Sequence, residues 1–165
     1  MNTKRRSYET GHKPKCLVLV DETPECDRAV YYASRWAVRV GGGVVMLRVI
    51  DTGDRNQQWL GVADIMRAEA LEEANIALDR ASGRANGLAA ITPERVFREG
   101  ADPREQILDV IEKDVDIALL VLAAATGAEG PGPIVTAVAK TSGAFPIPVT
   151  IVPGNLGDED LDALS

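Results

Sequence analysis

Continuous aliphatic runs, rather than alternating ones, place the strongest constraint on the fold of this chain. Residues 16–20 read Cys-Leu-Val-Leu-Val, residues 44–50 read Val-Val-Met-Leu-Arg-Val-Ile, and residues 115–122 are again mostly aliphatic. Runs of this kind are typical of strands that are covered on both faces, as in a parallel sheet. Because parallel strands need long crossover connections, the intervening segments should contain helices.

Helical patterns do separate these runs. Apolar residues recur at helical spacing in four segments, at about residues 27–40, 62–87, 102–111 and 134–142. Two shorter strands are predicted at residues 94–98 and 149–152. The resulting order, β-α-β-α-β-α-β-α-β, predicts an α/β fold with an open five-stranded parallel sheet and helices on both faces, a Rossmann-like architecture.

Length and composition limit the remaining options. The chain has 165 residues, which suits one domain, here predicted at residues 16–154, between a flexible N-terminal tail (1–15) and an acidic C-terminal tail (155–165). Its net charge of −7 argues against a nucleic-acid partner. No segment has the apolar length of a signal peptide or a membrane span, and two cysteines do not make a disulfide framework. We therefore expect a cytoplasmic protein.

Two segments have the composition of a ligand site. Asp21, Glu22 and Thr23 follow the first strand, and a glycine cluster precedes the last helix, which begins at Ile134. The cluster comprises Gly127, Gly130 and Gly132. In an open parallel sheet, ligands bind outside the carboxyl ends of the strands, and glycines before a helix N-terminus suit a phosphate. Equally, Asp21 could simply open a turn and the glycines could form an irregular loop.

Other reactive side chains point to no catalytic or metal site. His12 is the only histidine and falls in the predicted tail, which removes His-based triads and most His-bearing metal sites. Cys16 lies in a predicted strand, where we expect it to pack in the core. Cys26 lies at a helix start, where the pKa of a thiol can be lowered and the residue can serve a redox role. The alternative for Cys26 is a role in capping or packing. Trp59 lies in a polar loop at residues 55–59, either touching a partner or ligand or half-buried under the long helix.

Three other classes of protein fit poorly. A response-regulator receiver needs an Asp after the third strand and a Lys after the fifth, but Arg98 and Pro153 occupy those positions. The sequence Gly41-Gly-Gly43 is not followed by the Gly-Lys-Ser/Thr of a phosphate-binding loop. The first strand is not followed by the Gly-x-Gly-x-x-Gly of dinucleotide-binding dehydrogenases.

An ordered set of segments resembles the universal stress protein family. Residues 17–30 (Leu-Val-Leu-Val-Asp-Glu-Thr-Pro-Glu-Cys-Asp-Arg-Ala-Val) are similar to the opening of those proteins, and four later segments complete the match: 45–51, 98–103, 116–122 and 145–153. The resemblance implies strand order 3-2-1-4-5, dimers and a role in stress survival. In one of the family's two broad classes it also implies binding of an adenine nucleotide, ATP or AMP. Asp21 and Val49 match the positions that hold adenosine in that class.

The phosphate loop of the binding class is altered here. Its pattern is Gly, two residues, Gly, nine residues, Gly, then Ser or Thr. Gly127 and Gly130 keep the first spacing, but one residue separates Gly130 from Gly132, and Pro133 replaces the hydroxyl residue. Residues 123–126 align equally well with the start of the motif. We therefore expect any adenine nucleotide to bind through its nucleoside end, with little gain from the phosphates.

Together, the residue patterns and the family resemblance predict a regulatory module of the stress response, for which we identify no catalytic cycle. An adenine-nucleotide binder and a nucleotide-independent dimeric interaction module both fit it. Slow ATP hydrolysis is a weaker third option, for which we identify no general base. A homodimer is predicted through the last strand, Val149 to Val152, because this segment is apolar, short and fenced by prolines. A regulatory protein partner is compatible with either reading.

Overall fold

The computed structural model describes residues 3–51 and 60–165, so Trp59 and the loop predicted at residues 55–59 lie outside the described residues. Strands and helices alternate along the chain as the aliphatic runs predict. They are β1 (Lys15–Leu19), α1 (Cys26–Val40), β2 (Gly43–Asp51), α2 (Leu60–Ala89), β3 (Glu94–Gly100), α3 (Pro103–Lys113), β4 (Ile117–Ala124), α4 (Pro133–Lys140), β5 (Val149–Pro153) and α5 (Asp158–Leu164).

The five strands form one sheet in the order β3-β2-β1-β4-β5, and every pair is parallel. The predicted fold class and strand order are confirmed. Leu17 of the central strand pairs with Val45 on one side and with Leu120 on the other. All three side chains are buried, which explains why these segments are aliphatic without alternation.

Helices cover the two faces of the sheet in separate layers. The first layer consists of α1, α2 and α5, whose buried side chains pack on Val18 and Met46. The second layer consists of α3 and α4, whose buried side chains pack on Leu17 and Leu47. The connections that follow β1 and β4 therefore leave the sheet on opposite faces. The carboxyl ends of these neighbouring strands form the topological switch point, where ligands bind in this architecture.

Local sequence signals explain where two of the helices begin or end. Helix α1 ends at Gly41, whose φ of 68° is left-handed and favours glycine. Helix α3 begins after Asp102, whose side chain accepts a hydrogen bond from Arg104 N at 3.0 Å, and Pro103 fills the first helical position. The predicted start of α3 matches this cap.

The N-terminal segment differs from the predicted flexible tail, because it is anchored to the domain by Arg5, by the backbone of Arg6 and by the buried Ser7 and Pro14. The guanidinium of Arg5 donates from Nη1 to Ile111 O at 2.7 Å and to Asp114 O at 3.1 Å, at the C-terminus of α3. The backbone N–H of Arg6 donates to Val115 O at 2.9 Å. Arg5 thereby supplies a donor to Ile111 O in the last turn of α3, where carbonyls lack an intrahelical partner, whereas Asp114 O also accepts from Ile117 N at 3.2 Å.

The C-terminal segment also differs from a loose acidic tail. Helix α5 packs on α1 and buries Leu161 completely. Tyr31 donates its hydroxyl to Asp162 Oδ1 at 2.7 Å, and Arg28 pairs with Asp158 at 2.9 Å. The acidic composition of this segment is therefore complementary to a basic face of α1. Among the described helices, none has the length and apolarity needed to cross a bilayer.

Candidate functional site

The turn after β1 is closed by its own side chains. Asp21 Oδ1 accepts hydrogen bonds from Thr23 N at 2.9 Å and from Thr23 Oγ1 at 2.5 Å. This Asx-type arrangement is typical of Asp followed by a hydroxyl residue in a turn. It fixes one oxygen of the carboxylate at the end of β1, close to the switch point.

The glycine loop between β4 and α4 is likewise held by its own backbone. Gly127 and Gly132 have φ values of 100° and 110°, which side-chain-bearing residues rarely adopt. A Cβ at Gly130 would lie 2.2 Å from Ala125 O, so this position also requires glycine. Gly130 N donates to Gly127 O at 3.2 Å, and Ala125 N donates to Pro131 O at 3.0 Å. The loop's own conformation thus accounts for all three glycines, without a ligand.

Helix α4 presents few donors at its N-terminus. Its first residue is Pro133, which has no N–H, and the preceding Gly132 provides no side-chain cap. The hydroxyl of Thr136 donates back to Gly132 O at 2.9 Å. The N–H groups of Ile134 and Val135 are the remaining first-turn donors of the helix.

The turn after β1 and the first turn of α4 meet at a small cleft on the second-layer side of the sheet. Its volume is about 30 Å³, about the share of one water molecule in the liquid. The lining residues are Leu19, Asp21, Thr23, Cys26, Leu122, Ala123, Ile134 and Val135. As it stands, this cleft is too small for an adenosine.

Three of the eight predicted ligand residues, Asp21, Thr23 and Ile134, share this cleft. The others do not line it. Glu22 borders a different cavity, and Gly132 lies in an open groove outside α4. Val49 is partly buried against the second-layer core, and Gly127 and Gly130 lie in the loop between β4 and α4, where both support its turn.

Arg48 is a residue of this region that the sequence analysis did not identify. It lies on β2, and its guanidinium pairs with Glu22 at 2.8 Å and donates to Val20 O at 3.4 Å. Its side chain is 16% exposed, and its Nε is buried without a hydrogen-bond partner among the described residues. The sequence did contain a signal for this residue, since it is a lone charged residue inside an otherwise aliphatic run. Arg48 ties the loop after β1 to the neighbouring strand.

Both cysteines are packing residues. Burial raises the pKa of the Cys26 thiol to about 11, and complete burial also raises the pKa of Cys16. Cys26 Sγ accepts a contact from Asp21 N at 3.5 Å and donates to Leu19 O at 3.7 Å. The structure therefore supports the packing interpretation of Cys26 and opposes a low-pKa redox thiol.

A larger cavity of about 270 Å³ lies on the other face of the sheet, between the start of α1 and the middle of α2. It shares Asp21, Thr23 and Cys26 with the small cleft but is otherwise lined by first-layer residues. Within residues 3–51 and 60–165, no group of three or more His, Cys, Asp or Glu side chains is placed to hold a metal ion.

An all-parallel 3-2-1-4-5 sheet with a cleft at its switch point defines the class of the protein. It is a doubly wound α/β domain of the kind that binds ligands at the carboxyl edge of its sheet. Comparison with family models then identifies a narrower group, since the model of the universal stress protein family matches residues 14–153. The chain belongs to the universal stress protein family.

Solved structures support the same fold. The universal stress protein UspA from Lactobacillus plantarum is 23% identical, with 84% of this chain and 97% of that chain covered and a TM-score of 0.69. A universal stress protein from Archaeoglobus fulgidus in complex with dAMP is 18% identical, with 84% and 97% covered and a TM-score of 0.62.

A universal stress protein in complex with cAMP is 18% identical, with 86% and 98% covered and a TM-score of 0.56. Comparison with curated protein sequences gave no match.

Proposed function

We propose that this chain is a cytoplasmic regulatory module of the stress response that binds an adenine nucleotide weakly at the switch point between β1 and β4. The observation that carries the proposal is the convergence of the Asp21–Thr23 turn and the first turn of α4 on one cleft. A carboxylate there can accept hydrogen bonds from ribose hydroxyls or an adenine amino group. We propose no catalytic step.

Family membership and two relatives support the choice of ligand. One structural neighbour was solved with dAMP and another with cAMP, and both ligands carry adenine on a ribose-type sugar with one phosphate group. The Asp of the family's binding class has its counterpart in Asp21, at the end of β1. The Val of that class has its counterpart in Val49, on the adjacent β2.

The features of this chain favour the nucleoside end of the ligand. Pro133 removes one first-turn N–H, and the loop of residues 125–132 already uses backbone donors to hold itself together. The groove beside Gly132 is lined by Glu129 but also by Arg104 and Lys140, so its charge does not by itself exclude a phosphate. The dipole of α4 still favours an anion, but only the N–H groups of Ile134 and Val135 remain to donate.

Binding must also widen the cleft, because 30 Å³ cannot contain a purine. Movement of Ile134 and the first turn of α4 away from Asp21 is the simplest opening. Part of the binding free energy is spent on this rearrangement, so we expect weak affinity.

The test is native purification followed by denaturation and mass spectrometry of released nucleotide, together with titration of AMP into the stripped protein. We expect AMP binding that Asp21→Asn weakens at least tenfold, since a charged hydrogen bond contributes roughly 1.5–3 kcal/mol. The matched control is Glu25→Gln, which removes a carboxylate four residues away. No binding at millimolar AMP, or equal effects of the two variants, would overturn the proposal.

A nucleotide-independent dimeric interaction module is the second candidate, and the small volume of the cleft favours it.

We propose in either case that the chain forms a homodimer through β5. This strand lies at the edge of the sheet, and Ile151 is 39% exposed there. An antiparallel two-fold mate could pair with the free side of Val149–Val152, while Pro148 and Pro153 limit further growth.

Titration of AMP separates the two candidates, and light scattering tests the dimer that both of them predict. The interaction module predicts the same dimer with and without AMP, and no AMP binding, whereas the nucleotide module predicts binding. Ile151→Glu should give a monomer, because it places a charge at the centre of the proposed interface. Glu159→Lys, on the exposed side of α5, is the control. A wild-type monomer at roughly tens of micromolar contradicts the dimer.

A further inference from the structure

The 270 Å³ cavity between α1 and α2 has the form of a second binding site. Its floor is apolar, formed by the buried side chains of Val20, Val30, Ala77 and Ala81. The two alanines lie one turn apart on α2, and their small side chains leave the space between the helices open. Larger residues at these positions would fill the cavity, as the rest of the core is filled.

Counted over the residues that the structure describes, the rim of the cavity carries one cation without a partner. Arg84 is committed to Asp27, with its Nε 2.9 Å from Asp27 Oδ1. Arg80, one turn earlier on α2, is exposed and has no ion pair or hydrogen bond to the residues that the structure describes. Lone exposed arginines are common, but this one borders an apolar cavity, where a bound anion could pair with it.

The acidic residues on the rim are already occupied. Glu22 pairs with Arg48, Asp27 pairs with Arg28 as well as Arg84, and Asp21 accepts two hydrogen bonds from Thr23. A ligand with several negative charges would still be repelled by these three carboxylates. One negative charge can be neutralised by Arg80 at the rim.

We propose that this cavity binds a small, flat, apolar molecule with one negative charge, such as an aromatic monocarboxylate. Its volume is about nine times the share of a water molecule in the liquid and just below the usual range of ligand pockets, roughly 300–1,000 Å³. A bicyclic ring fits this size, and a nucleoside triphosphate does not. The site lies on the opposite face of the sheet from the cleft beside α4, and the proposal does not depend on nucleotide binding.

Calorimetry on the full chain, with 2-naphthoate and its neutral analogue 2-naphthamide as probes, tests whether the cavity binds an apolar monoanion. We expect naphthoate to bind roughly threefold to fivefold more tightly than the amide, because an exposed ion pair contributes a binding free energy of that size. Arg80→Gln should remove that difference and leave amide binding unchanged. Lys140→Gln, which removes an exposed cation on α4, should preserve it. Ala81→Leu should weaken both probes by filling the floor.

Amide NMR shifts locate the probes. Shifts centred on Ala77 and Ala81 support the site, whereas shifts centred on Ile134 and Val135 place the probe in the cleft beside α4 and overturn the proposal. Because the two cavities share Asp21, Thr23 and Cys26, displacement of naphthoate by adenosine overturns the proposal when no shifts occur at Ala77 and Ala81. So does the absence of binding by either probe at millimolar concentration, or equal affinities for acid and amide in the wild type. If Ala81→Leu does not fold, the surface variant Arg80→Gln and the NMR shifts still decide the outcome.

Discussion

Replacing Pro133 by serine changes the one position where this chain departs most from a phosphate-binding helix start. Pro133 is the first residue of α4 and follows Gly132, which has a φ of 110° and provides no side-chain cap. Serine at this position supplies both a backbone N–H and a hydroxyl at the end of the helix that carries the positive dipole. It introduces no charge and little change of volume.

At least one of the two new donors should reach the phosphate, and this sets the expected gain in affinity. One hydrogen bond to a charged phosphate contributes about 1.5–3 kcal/mol, which corresponds to a tenfold to hundredfold increase in affinity. Adenosine has no phosphate, so its affinity should change by less than about twofold. Loss of the proline should lower the free energy of unfolding by about 0.4–1 kcal/mol, because the unfolded chain gains freedom.

Calorimetric titration of adenosine, AMP and ATP into the wild type and the Pro133→Ser variant measures these changes. Pro146→Ser is a matched control, since Pro146 lies before β5, at the amino edge of the sheet. It should leave all three affinities unchanged. Equal improvement for adenosine and ATP, or no improvement for ATP, would refute the account of the missing phosphate contacts.

Three further outcomes follow from contacts elsewhere in the fold. Cys26 should react with iodoacetamide at pH 8 roughly a hundredfold more slowly than a free thiol, because its side chain is buried and burial raises its pKa to about 11; stoichiometric labelling of the native protein would contradict this. Burial acts to raise the pKa of Asp27, but hydrogen bonds from neighbouring arginines of α1 and α2 lower it overall. The stability from Asp27 should therefore be present above about pH 4 and be lost as the pH falls through the lowered native pKa, a dependence that urea denaturation of Asp27→Asn should lack. Arg5→Ala should lower the free energy of unfolding by about 1–3 kcal/mol, because the Ile111 carbonyl in the last turn of α3 loses its donor; an equal loss in the exposed Lys4→Ala variant would be inconsistent with that role.

The sheet could be predicted because each strand is encoded locally. The run of residues 16–20 lacks alternation, and the structure covers β1 on both faces. The start of α3 was predicted from Asp102-Pro103, whose capping contact spans only two residues. Signals of this kind depend on residues that are close together in the sequence, so the elements that they encode can be predicted from one sequence.

The two ends of the chain could not be predicted in the same way. Arg5 and Ile111 are 106 positions apart, and Tyr31 and Asp162 are 131 positions apart. Neither contact leaves a periodic pattern near its own residues. One signal was available for α5: the basic residues Arg28, Arg35 and Arg39 share one face of α1, opposite in charge to residues 158–162.

The candidate site was predicted in composition but not in geometry. Asp21, Thr23 and Ile134 share a cleft, because the carboxyl ends of adjacent parallel strands must meet at one edge. The volume of that cleft depends on how the first turn of α4 packs against β1 and β4. The larger cavity near Ala77 and Ala81 depends on the pairing of α1 with α2, which is set by tertiary packing.

We propose above that the chain binds an adenine nucleotide and holds it by its nucleoside end. Calorimetry of adenosine, AMP and ATP with the stripped wild-type protein tests that claim most directly. We expect all three to bind with dissociation constants within roughly tenfold of one another, a spread of about 1.4 kcal/mol. Absence of binding by all three, or binding of ATP more than about a hundredfold tighter than adenosine, roughly 2.7 kcal/mol, would contradict the account.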